Sequence, residues 1–140
     1  MNQGYPPYDY LLANKLKQYI QEELTASAHY AELAKLAPNR RARMILQEFG
    51  IQEKKHAHNF MQAYYLLTGT IYQALPIPVP YLTDYKEALI EKIRKEIKAY
   101  KIYGEQYLLA TQPSLKNLFF MTKSDEAFQA TTIPLLLEKN

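Results

Sequence analysis

Apolar side chains return at intervals of three and four residues through four stretches, about residues 11–37, 41–67, 85–110 and 114–133, and that period predicts four helices. The clearest stripe lies in the second stretch, where Ile45, Phe49, Glu53, His56, Phe60, Ala63 and Leu67 share one face. A carboxylate and an imidazole thus interrupt an otherwise apolar surface. An unpaired charge costs several kcal/mol once out of water, so burial there demands a partner charge, a hydrogen-bond network or a metal. The spacing Glu-x-x-His aims both ligand groups at one point from one helix.

The other stripes carry polar interruptions too: Leu12, Leu16, Ile20, Glu23, Ser27, Tyr30 and Leu33 in the first helix, and Leu89, Ile93, Glu96, Tyr100, Tyr103 and Tyr107 in the third. The fourth reads Leu115, Phe119, Thr122, Glu126, Gln129 and Ile133. Asp9, Thr83 or Asp84, and Ser114 are the expected N-caps; Pro38 and Asn39 end the first helix, and Pro134 kinks or stops the fourth. About residues 70–83, Pro76, Pro78 and Pro80 oppose helix. Extended at roughly 3.1 Å per residue, that linker spans about 40 Å and can cross a whole bundle, leaving helices two and three parallel. Tyr5 to Tyr10, with Pro6 and Pro7, should be extended, and Leu135 to Leu137 is apolar enough to pack, another subunit being one surface for it.

Shifting the chain on itself by 73 places Glu23 on Glu96, Tyr30 on Tyr103 and Glu53 on Glu126 (96 − 23 = 103 − 30 = 126 − 53 = 73). His56 falls on Gln129. Inward-facing carboxylates recurring at one offset read as two copies of a helical hairpin. Glu32 and Glu105 share the offset but lie on the opposite helix face, where solvent accounts for them, and His29 and His58 are expected at the surface or an interface.

At 140 residues the chain has the length of one domain, and plentiful Leu, Ala, Lys, Glu and Gln with only 4 Gly favours helix. A net charge of +3, with only Arg40, Arg41 and Arg43 clustered, argues against a nucleic-acid face. The absence of cysteine excludes disulfides, thiolate zinc sites, iron–sulfur clusters and thiol catalysis, so any metal must use carboxylate, imidazole, amide or water ligands. Thirteen Tyr without Trp suit a bundle whose buried rings need a polar tip. Neither a secretion signal nor a membrane-length apolar run is present, so a cytoplasmic protein is the expectation.

With Glu23-x6-Tyr30, Glu53-x2-His56, Glu96-x6-Tyr103 and Glu126 on four helices and a long linker in the middle, residues 10–134 resemble the ferritin-like superfamily, and most nearly its rubrerythrin group. That resemblance implies an all-α, ferritin-like four-helix bundle over residues 1–140 and a di-iron or manganese carboxylate site. Carried over, Glu23, Glu53, His56, Glu96 and Glu126 become metal ligands, with Tyr30 and Tyr103 as hydrogen-bond donors that orient them. Fe or Mn, with Zn as a substitute, would serve oxidoreductase chemistry of the ferroxidase or peroxidase kind in a homodimer with an unnamed electron donor.

The chain departs from that pattern in three places. Gln129 replaces the second His, Ala99 stands where rubrerythrins typically carry a further carboxylate, and the cysteine-rich relay module is missing. Gln129 is read either as a weak ligand or as a hydrogen-bond partner of Glu126 or Glu53. A dinuclear or an altered mononuclear site follows, and the alternative function is a degenerate, non-catalytic structural or interaction protein related to stress or spores.

Overall fold

The computed structural model describes residues 9–137. They form four α-helices and no strand: α1 (Tyr10–Lys35), α2 (Arg40–Thr68), α3 (Tyr85–Leu109) and α4 (Pro113–Thr132), followed by a 3-10 helix over Ile133–Leu137. Three helices begin at side-chain caps. Asp9 accepts from the Leu12 N–H at 3.0 Å, Asn39 from Ala42 at 2.8 Å and Asp84 from Glu87 at 3.0 Å, each satisfying one of the N–H groups a helix start leaves open. Asn39 therefore starts α2, and α1 already ends at Lys35. Ser114 lies inside α4, because Pro113 takes the first helical position, where its fixed φ and missing N–H cost nothing. Pro134 does stop the α-helix, which tightens to 3-10 at Ile133.

α1 packs along α2, and α3 along α4. α1 comes close to α2 at Gly50, whose backbone carbonyl accepts from the Ser27 hydroxyl at 2.8 Å. A Cβ there would sit 3.4 Å from both the Ser27 carbonyl oxygen and the Tyr30 Cβ.

Two apolar clusters form the core. One gathers Leu16, Tyr19, Ile20, Phe60, Tyr103 and Phe119, with Tyr19 and Tyr103 edge to face at 5.1 Å; the other gathers Leu33, Leu46, Phe49, Leu89, Ile133 and Leu136. On every helix the buried Glu falls, in chain order, between the residues that join one cluster and those that join the other.

Residues 69–84 have no regular structure. Gln21 of α1 fixes them, its side-chain oxygen accepting from the Tyr72 hydroxyl at 2.8 Å and the Leu75 N–H at 2.9 Å. Tyr72 packs on the first cluster and Leu82 on the second.

Three expectations need correction. Tyr100 is 42% exposed, because the buried face of α3 runs through Lys92 and Gln106 and so is turned away from the apolar positions. Tyr10 opens α1 and is not part of an extended arm; residues 5–8 of that expected arm lie outside the described residues. In the tail, Leu136 and Leu137 pack on this chain's own second cluster, leaving Leu135 exposed. No helix among the described residues is long and apolar enough to cross a membrane.

Candidate metal centre

The period of each helix turns Glu23, Glu53, Glu96 and Glu126 into the layer between the clusters, and all four are at most 3% exposed. His56, one turn beyond Glu53, enters the same layer. Its Nδ1 lies 2.9 Å from Glu23 Oε1, 3.1 Å from Glu53 Oε1 and 3.6 Å from Glu126 Oε1. One ligand atom from each of Glu23, Glu53, His56 and Glu126 falls within 4.8 Å of the others, so these four buried residues could hold a metal ion.

His56 Nε2, on the far side of the ring, meets Asp125 Oδ2 at 2.8 Å. A carboxylate there holds a proton on Nε2, so that when Nδ1 gives up the proton it shares with Glu23 and Glu53 its lone pair faces the carboxylates, the arrangement metal-ligating histidines use. Tyr103 donates to Glu23 Oε2 at 2.7 Å, leaving Glu23 Oε1 for the centre. Tyr30 donates to Glu96 and, at 3.1 Å, to Gln129 Oε1. Gln129 gives its amide N–H groups to Gln52 Oε1 at 2.7 Å and Glu53 Oε1 at 3.2 Å.

These contacts obey the offset read from the sequence. Tyr30 to Glu96 and Tyr103 to Glu23 are one contact made twice, and so are Asp125 to His56 and Gln52 to Gln129 (125 − 52 = 129 − 56 = 73). The halves differ in what they offer a cation. The His56 half presents an imidazole lone pair; the Gln129 half presents amide donors, and Glu96 stands outside the four-residue group, tied to Tyr30.

Burial pulls His56 down, but hydrogen bonds to Glu23 and Glu53 outweigh it and push the pKa to about 11. Burial, then Glu23, raises Glu53; burial, then Glu23, Glu53 and Glu96, raises Glu126 well above the carboxylate range. Glu96 is raised to about 7 by burial and Glu53, with Lys92 pulling the other way. Burial and the neighbouring carboxylates also push the Tyr30 and Tyr103 hydroxyls far up, so both stay protonated donors. Apart from protons that Glu126 can share with Glu53 and Glu96, Glu53 Oε2 and both Glu126 oxygens are buried with no hydrogen-bond partner among the described residues. Buried carboxylate oxygens with no donor but one another's protons are what a cation would satisfy.

Sequence reading missed Lys92, Asp125 and Gln52. Asp125 and Gln52 were legible as a pair at offset 73, each one residue before a buried Glu. Lys92 was not, because its position matches Tyr19 and its charge suggested the solvent face; it is 2% exposed, with its ammonium 4.4 Å from the Tyr30 ring centre. His58 is exposed and His29 partly so, as expected. No family model, curated protein or solved structure matches the chain.

Proposed function

We propose that the chain is a single-domain, rubrerythrin-like member of the ferritin-like superfamily that holds one Fe or Mn ion at Glu23, Glu53, His56 and Glu126 and acts as a cytoplasmic oxidoreductase of the ferroxidase kind. The observation that carries the reading is the set of three donor-less carboxylate oxygens on Glu53 and Glu126, facing a histidine that Asp125 already orients. A ferritin-like bundle with a Pro-rich crossover is supported by chain order. α2 and α3 both run from the second cluster toward the first, so residues 69–84 have to return along the bundle.

In this reading Glu23, Glu53 and Glu126 supply the negative charge, His56 the neutral nitrogen, and Tyr103 fixes which Glu23 oxygen faces inward. Binding displaces the proton that His56 Nδ1 otherwise shares with Glu23 and Glu53. A bound Fe or Mn ion would contribute one-electron chemistry toward dioxygen or peroxide. Zn would occupy the same ligands without redox. The two apolar clusters close the layer toward both ends of the bundle. Glu96, held by Tyr30, flanks the site and is not assigned as a ligand of that ion.

Metal analysis after chelator-free purification from supplemented medium tests this: about one equivalent of Fe or Mn is expected, and a content near zero would overturn it. The second reading, a non-catalytic structural or interaction protein, is favoured by Gln129, whose amide is satisfied internally at both ends, as in a polar core that needs no ion. A homodimer belongs to the proposal. Met121, Phe128 and Leu135 repeat every seventh residue, and all three are exposed. Sedimentation should show a dimer that Phe128→Glu converts to monomer; an unchanged species would count against that surface.

A further inference from the structure

A cavity of about 380 Å³ opens between α1 and α3 and reaches Glu23, Glu53, Glu96 and Glu126 at its inner end. Dioxygen or peroxide needs far less, on the order of 60 Å³ at about 30 Å³ per water-sized volume. Pockets for small organic molecules begin at about 300 Å³. The walls are mixed: Ala26, Ala99 and Ile102 are apolar, while Lys92 and Lys95 bring positive charge from α3.

Lys92 is the unusual wall residue. It is 2% exposed, yet among the described residues it makes no ion pair or hydrogen bond; its contact is the face of Tyr30 at 4.4 Å. Glu96, one turn along the same helix, is already held by Tyr30. The Tyr30 face and the charge of Glu96 offset part of the cost of burying the Lys92 side chain, and its ammonium is left facing the cavity, where an anion would pair with it.

We propose that this cavity binds a small organic monocarboxylate, its charged end on Lys92 and its body along Ala26, Ala99 and Ile102, beside the cation site. Of the three lysines on the walls only Lys92 is buried, Lys95 and Lys98 being exposed to solvent, so the inner part of the cavity matches one negative charge. A dianion such as phosphate would face Glu22, Glu23 and Glu96 on the same walls. The inference rests on the metal reading, because without a cation the inner carboxylates repel any anion placed next to them.

The test is calorimetric titration of the full-length, Mn-loaded protein with benzoate, hexanoate and inorganic phosphate, with manganese measured on the same samples. Benzoate or hexanoate should bind. Lys92→Met should weaken that binding at least ~30-fold with manganese content unchanged, while Lys92→Arg retains most of it. Ile102→Trp fills the cavity without touching Lys92 and should block the carboxylate but keep the manganese, so the outcome does not hang on Lys92→Met folding. Manganese bound with neither carboxylate binding, a preference for phosphate, or Lys92→Met binding as tightly as the parent would each overturn the pocket and leave the metal reading standing. Samples that hold no manganese would overturn both.

Discussion

At the scale of single residues, the site turns on which nitrogen of His56 gives up its proton to a cation. Asp125 fixes that choice from outside the ligand group, and its side chain is 37% exposed, so Asp125→Asn should leave the fold intact. It should lower Mn²⁺ affinity by ~10–100-fold, as loss of an outer partner of a ligating histidine does; calorimetric Mn²⁺ titration of the variant checks it. Protons compete for the same atoms. Glu96 is raised from 4.5 to about 7 by burial and Glu53, so between those values the folded chain holds a proton that the unfolded chain has released, and stability falls as pH rises through that window. His56, raised from 6.5 to about 11 by Glu23 and Glu53 against burial, contributes stability that is complete below 6.5 and lost as pH climbs toward 11. Both slopes have one sign. Chelator-treated protein should therefore melt at a lower temperature at about pH 8 than at about pH 5.5, and bound Mn²⁺ should flatten or reverse the trend. A metal-free melting temperature that rises over this range would contradict the assigned proton positions.

The helices were largely legible as elements because two capping side chains, Asp9 and Asp84, and the apolar period mark them independently. Asp9 and Asp84 cap where the sequence suggested, and the four buried Glu lie on the faces their spacing assigned. α3 was misread by part of a turn. Its exposed Tyr100 and buried Lys92 reverse the usual preference of each residue type, and periodicity weighted by hydropathy cannot see a charge buried for a local reason. Contacts between elements were less visible still. Nothing in the sequence announced that Gly50 lets α1 and α2 close to a distance at which its Cβ would lie 3.4 Å from Ser27 and Tyr30. Gly50→Leu should force those helices apart and cost ~1–3 kcal/mol or more, the usual penalty of overpacking. Denaturant unfolding measures that loss, and a midpoint unchanged from the parent would show that the interface yields.

For the molecule as a whole, the repeat at 73 proved to describe contacts as well as residue types, and its break at His56 against Gln129 makes the halves chemically unequal. Gln129→His restores the imidazole opposite Gln52 and Tyr30 and should raise the metal content above that of the parent, read by elemental analysis after identical loading. An unchanged content would count against a weakened dinuclear site. The reciprocity was beyond the sequence because an offset says which residues correspond, not that each hydroxyl reaches across to the opposite copy.

That crossing has a consequence for how the chain is tied together. Tyr30 of the first hairpin finds its acceptors on α3 and α4, Tyr103 of the second finds its own on α1, and His56 is anchored by α4. Neither hairpin closes its own list of buried donors, so each is an incomplete solute without its counterpart. A backbone cut within residues 76–80, past the Gln21 anchor, should yield two fragments that copurify under native conditions, and each fragment alone should be aggregation-prone or unfolded.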